Sequence, residues 1–158
     1  MLQTDTRTAY DADLVQHPFR LQHVAQAVGP RGESKIVEAA MARPTVLVVD
    51  DDFLIRLHTA DILEAAGFAV VEANDAANAL ALLQDMPGFQ LICTDVQMPG
   101  ELDGIDLALR VLERHPEMRV IIMSAHSGHG DRLPNVPFLS KPFLPSCLVD
   151  LARRELAA

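Results

Sequence analysis

The chain has 158 residues, 49% of them hydrophobic and 22% charged, with a formal net charge of −9. That is enough apolar material for a packed core, which excludes global disorder, and the length allows one compact domain with a modest extension. Residues 1–43 balance 5 basic against 5 acidic side chains, so the whole acidic excess lies in 44–158. Such a domain is repelled by phosphate backbones, so no nucleic acid partner is expected, and it suits a cation.

No apolar run approaches the roughly 18 residues of a membrane span. Met1 to Arg20 carries scattered charges and no apolar leader core, so a cytoplasmic protein without membrane contact is expected. Cys93 and Cys147 are too few for a disulfide scaffold and read as small buried hydrophobes in a reducing compartment.

In residues 1–43, Leu14, Val15, Phe19, Leu21, Val24 and Val28 could line one side of a helix. Pro18 interrupts that stripe and Gly29-Pro30-Arg31-Gly32 ends it. The segment reads as a loosely ordered N-terminal extension; the alternative is an amphipathic helix that docks on a partner or on the domain itself. Met41, just before the first strong strand, could be an alternative start.

From Thr45 the pattern becomes regular. Thr45–Val49 predicts a strand, and Phe53–Ala66 a helix carrying Leu54, Leu57, Ile62 and Leu63. Phe68–Val71 predicts a second strand. A helix capped by Asn74 or Asp75 runs to about Met86, where Pro87-Gly88 ends it. Phe89–Thr94 is a strand, Gly104–His115 a helix, Arg119–Met123 a strand, Val136–Ser140 the fifth strand and Leu144–Leu156 the last helix. Alternation of strand and helix implies crossovers, hence a parallel sheet covered on both faces. The strands are continuous apolar runs, as buried parallel strands are. The expected fold is a doubly wound, five-stranded α/β domain, with its chemistry beyond the carboxyl ends of the strands.

Those ends are specific. The first strand ends in Asp50-Asp51-Asp52, the third in Asp95, the fourth in Ser124 and the fifth in Lys141. Adjacent carboxylates raise one another's pKa unless a cation sits among them, and Mg²⁺ with retained waters suits such an open oxygen-lined rim. Asp51 or Asp52 could instead cap the following helix. Lys141 is the only lysine in 44–158; the other seven cations there are arginines. Its compact ammonium suits a phosphoryl oxygen or a carboxylate, and Pro142 could make a cis bond at this corner.

Together these segments resemble the receiver domain of two-component response regulators, of the chemotaxis-regulator-like single-domain type. The resemblance covers about residues 44–157. It rests on Val46 to Asp52, on Asp95 within Cys93 to Gly100, on Asp103-Gly104, on Met123-Ser124-Ala125 and on Lys141-Pro142-Phe143, in order at successive strand ends. It implies a flavodoxin-like sheet of order 2-1-3-4-5 and a signalling module, not an enzyme. Asp95 would accept phosphate from a histidine kinase or histidine phosphotransfer protein. Asp50, Asp51, Asp95 and the backbone carbonyl of Gln97 would hold Mg²⁺. Ser124 and Lys141 would bind the phosphoryl oxygens, Ser124 and Phe138 would form the switch, and Gln97 and His126 would tune hydrolysis. The signal would pass by protein–protein contact, from a monomer or weak dimer.

The chain departs from the pattern in its 1–43 extension, in an added residue at Glu101-Leu102, and in the short interval between Ser124 and Lys141. Residues 125–135 contain Gly128, Gly130 and Pro134 and little apolar material, so the usual fourth helix, between the fourth and fifth strands, is expected to be shortened or missing. The region should act as a mobile loop that phosphorylation orders. No output domain is expected after Leu156. The alternative function is a haloacid-dehalogenase-type phosphatase. It would need an acidic pair after Lys141, where only Asp150 and Glu155 follow, and it has Leu54 in place of the expected Thr or Val.

Overall fold

A computed structural model describes residues 43–125 and 132–158. Strands and helices alternate as far as the fourth strand: β1 (Thr45–Val49), α1 (Phe53–Ala65), β2 (Ala69–Ala73), α2 (Ala76–Asp85), β3 (Phe89–Asp95), α3 (Gly104–Arg114), β4 (Arg119–Ser124), β5 (Phe138–Ser140) and α4 (Pro145–Ala157). All strand pairs are parallel, in the order β2-β1-β3-β4-β5. This is the doubly wound sheet that the alternation predicts.

Consecutive strand residues point to opposite faces, and the two faces carry separate cores. Leu47, Val49, Ile92, Val120 and Ile122 pack with Leu83, Ile105 and Val111 of α2 and α3. Val46, Val48, Leu91, Cys93, Ile121 and Met123 pack with Leu63 of α1 and Leu148 and Ala152 of α4.

The helix starts are chemically marked. Asp52 accepts from the amides of Leu54 and Ile55 and caps α1. Asp75, the second of the two proposed caps, accepts from Asn78 at α2. Asp103 and Asp106 form a reciprocal capping box at α3, and Pro145 opens α4.

Four details differ from expectation. The second strand runs on to Ala73, because the β1 ladder continues to the Val49–Ala73 pair. The fifth strand starts only at Phe138; Pro137 has no N–H, and it contributes its carbonyl to Ile122 instead. In α1, Leu54 is 71% exposed and Leu57 is also exposed, whereas Thr59, Ala60 and Leu63 form the buried face. Thr59 is accommodated there because its hydroxyl donates to the Ile55 carbonyl. Cys147 is exposed on the first turns of α4, so only Cys93 is the buried hydrophobe expected of both; burial pushes the Cys93 thiol up to about 12.

Among the described residues, no helix lies between β4 and β5. Leu133 is buried in the α2–α3 core, and Arg132 pairs with Asp106 and Asp103, so two side chains anchor the described end of the crossover. His126 and the proposed glycine-rich loop, and the expectations for residues 1–42, lie outside the described residues. Among the described residues no helix is long and apolar enough to cross a membrane.

Candidate functional site

The carboxyl ends of β1, β3, β4 and β5 meet at one rim, and each contributes what the sequence placed there. Asp50 follows β1 directly. Its amide donates to the Ala73 carbonyl, and its Oδ1 accepts from the Asp52 amide at 2.9 Å, so both backbone and carboxylate are held. Asp95 ends β3, with its Oδ2 accepting from the Gln97 amide at 3.0 Å. The Lys141–Pro142 bond is cis, and the Lys141 amide donates to the Ser124 carbonyl at 2.8 Å, which ties the ends of β4 and β5 together.

Lys141 lies across the two acids. Its Nζ is 2.6 Å from Asp50 Oδ2 and 2.7 Å from Asp95 Oδ1. All three side chains are largely withdrawn from solvent. Burial pushes the Asp50 carboxyl above its ordinary value, even with the Lys141 ammonium donating to it. Burial also works against the Lys141 ammonium, but its bonds to Asp50 and Asp95 outweigh this and hold its pKa above the usual lysine value.

Oxygens of Asp50, Asp51 and Asp95 lie within 4.8 Å of one another, the one such cluster among the described residues. Their chemistry fits a hard divalent ion: three carboxylates, two buried and one exposed, supply the oxygen ligands that such an ion prefers. A single ammonium balances only part of that charge. Asp52, the third acid of the triplet, is used as the α1 cap instead.

Ser124 is buried at the end of β4, in register with Ser140. Phe138 opens β5 opposite Ile122 and is 39% exposed. Gln97 reaches the site through its backbone. Asp150 and Glu155, which the phosphatase alternative would need, are not in the acidic cluster.

Three further residues contribute to the site. The Thr94 hydroxyl, fully buried, donates to the Asp95 carbonyl at 2.9 Å. Gly104 packs so closely on the Asp95 backbone that a Cβ would overlap the Asp95 carbonyl oxygen. Arg56 donates from Nη1 to the Asp50 carbonyl at 2.6 Å. The Asp-Gly pair at the start of α3 is a readable signal for the second. The first and third depend on contacts that spacing does not reveal.

The comparison with known proteins agrees with this fold. The family model for the response regulator receiver domain matches residues 46–153. The chain is 33% identical over 118 residues to the response regulator receiver protein CpdR of Brucella abortus, covering 72% of this chain and 97% of that one. It is 36% identical over 122 residues to the C4-dicarboxylate transport transcriptional regulatory protein DctD of Rhizobium meliloti, where the match covers 72% of this chain but only 25% of the longer relative. The crystal structure of the receiver domain of NtrX from Brucella abortus superposes with a TM-score of 0.65 at 32% identity, covering 72% of this chain and 98% of that one. The chain belongs to the response regulator receiver domain family. It is thus a phosphorylatable module of two-component signalling, a family that works with histidine kinases or phosphotransfer proteins.

Proposed function

We propose that Asp95 is the phosphoacceptor and that Asp50, Asp51, Asp95 and the Gln97 carbonyl hold Mg²⁺ beside it. The observation that carries this reading is Lys141 bridging Asp50 and Asp95, within an oxygen cluster that one ammonium leaves under-neutralised. Bound there, Mg²⁺ would supply the charge neutralisation that an incoming phosphoryl group requires.

The chain's own residues account for the rest of the step. The Asp95 carboxylate oxygen forms a P–O bond as the P–N bond of a donor phosphohistidine breaks, and the electron pair leaves with the imidazole. Lys141 is placed to hold a phosphoryl oxygen through its Nζ, and Ser124 can donate its hydroxyl to another. Phe138, partly exposed on β5 beside the strand that ends in Ser124, is proposed as the switch ring. Gln97 flanks Asp95 and is proposed, with His126, to set the lifetime of the acyl phosphate.

The phosphodonor is a histidine kinase or phosphotransfer protein. Phe53 and Leu54, 60% and 71% exposed on the first turn of α1, follow the acidic triplet directly and offer that protein an apolar contact beside the site. Residues 44–158 are proposed as the receiver unit and 1–43 as an extension outside it, since the receiver family model matches residues 46–153. The output is protein–protein contact by a monomer or weak dimer, without nucleic acid binding by this unit or enzymatic turnover. Two free thiols fit a cytoplasmic setting.

The test is incubation with a small phosphodonor and Mg²⁺. A stoichiometric, base-labile label is expected. Sustained release of inorganic phosphate without a label would overturn the reading in favour of a phosphatase.

A further inference from the structure

Arg56 is a large cation on an otherwise apolar first stretch of α1, and it is well withdrawn from solvent. Its guanidinium has three neighbours. Nη1 donates to the Asp50 carbonyl at 2.6 Å, Nε donates to Glu72 Oε2 at 3.2 Å, and the Phe53 ring lies 5.6 Å away across its face. Glu72 belongs to β2, the described strand whose end brings no side chain to the rim, so its contact with Arg56 adds a side-chain link from that strand to the site.

The Asp50 carbonyl oxygen belongs to the peptide plane that joins Asp50 to Asp51. A peptide unit rotates as a rigid plane, so fixing its oxygen fixes the direction in which the next residue leaves. Asp50 is the first residue past the β1 ladder, whose last pairs are Val49 with Ala73 and Thr94. Beyond that point the sheet no longer dictates the chain's course. The Asp50 amide is held by Ala73, and Arg56 holds the other end of the same residue.

The geometry points to Arg56 as a positioning residue for the phosphorylation site: its guanidinium, aimed by Glu72, locks the Asp50–Asp51 peptide and so directs both carboxylates toward the cation. The inference rests on the proposed Mg²⁺ site and adds a residue that touches neither metal nor phosphate. Arginine suits the task because its planar fork serves the carbonyl and Glu72 at once; a lysine is a point donor that serves one of them. Losing a charge-assisted hydrogen bond of this kind corresponds to about tenfold in an equilibrium constant.

The test is Mg²⁺ titration of the full chain, followed by Mn²⁺ competition, with Arg56→Gln, Arg56→Lys, Glu72→Gln and Asp51→Asn. Melting temperature is measured without metal alongside. Arg56→Gln is expected to weaken Mg²⁺ about tenfold, Glu72→Gln to weaken it less, and Arg56→Lys to recover part of the loss. Should Arg56→Gln fail to fold, Arg56→Lys, which keeps charge and most of the packing, decides the matter through its weakened affinity. An unchanged Mg²⁺ affinity in folded Arg56 variants, with only a lower melting temperature, would overturn the inference while leaving the site reading intact if Asp51→Asn still loses binding. Absence of Mg²⁺ binding by the unaltered chain would overturn both.

Discussion

Arg132 Nη2 lies 2.7 Å from Asp106 Oδ1, and this pair ties the β4–β5 crossover to the first turn of α3. Asp106 is also half of the capping box with Asp103, and Asp103 lies 3.8 Å from Arg132 Nη1. The next residue, Gly104, rests on the Asp95 backbone. The crossover is therefore linked, through one helix start, to the strand end that carries the proposed phosphoacceptor.

The Arg132 guanidinium holds the Asp106 carboxyl below its ordinary value of 3.8. An acid with a lowered folded pKa stabilises the fold fully above its unfolded pKa and loses that contribution as pH falls through the folded value. Arg132→Gln is expected to melt modestly below the unaltered chain near neutral pH, with faster amide exchange at Val136. The gap should close as pH drops below the ordinary carboxylate range. A gap that persists at low pH would show that Arg132 acts through packing alone.

Leu54 is proposed as part of the donor contact. Leu54→Asp places an acid in the first turn of a helix, a favourable position, so the melting temperature should hold. Phosphotransfer from a phosphohistidine protein is expected to slow about tenfold or more, as for a contact near the centre of an interface. Phosphorylation by a small donor should be unchanged. Equal slowing with both donors would contradict a docking role.

Gly104→Ala puts a methyl group against the Asp95 carbonyl, with the Asp95 carbonyl carbon 2.7 Å away and Val96 Cα at 3.0 Å. These are backbone atoms, so the strand end or the helix start must move. A loss of about 1–3 kcal/mol is expected from denaturant unfolding, together with slower phosphorylation. Unaltered stability and rate would show that the close approach has no bearing on the site.

The sheet was legible because its strands are largely apolar runs, and helices with marked caps separate the first four of them. The site was legible because parallel topology carries every strand's carboxyl end to one rim, so Asp50, Asp95, Ser124 and Lys141 converge without any knowledge of side-chain contacts. The face of α1 was not. An exposed apolar patch and a buried one have the same helical spacing, and Leu54 reads the same as Leu63 until the sheet is in place. Arg56 and Arg132 were missed for a related reason. Their partners, Glu72 and Asp106, lie 16 and 26 residues away in sequence, and nothing local marks an arginine as paired.

The central claim is that Asp95 takes the phosphoryl group. Intact-mass measurement after treatment with a small phosphodonor and Mg²⁺, followed by borohydride reduction and peptide mapping, tests it directly. The account predicts a single phosphoryl addition, reduction at Asp95, and no addition in Asp95→Asn. A full mass gain in Asp95→Asn, or reduction at Asp50 or Asp51 in the unaltered chain, would contradict it.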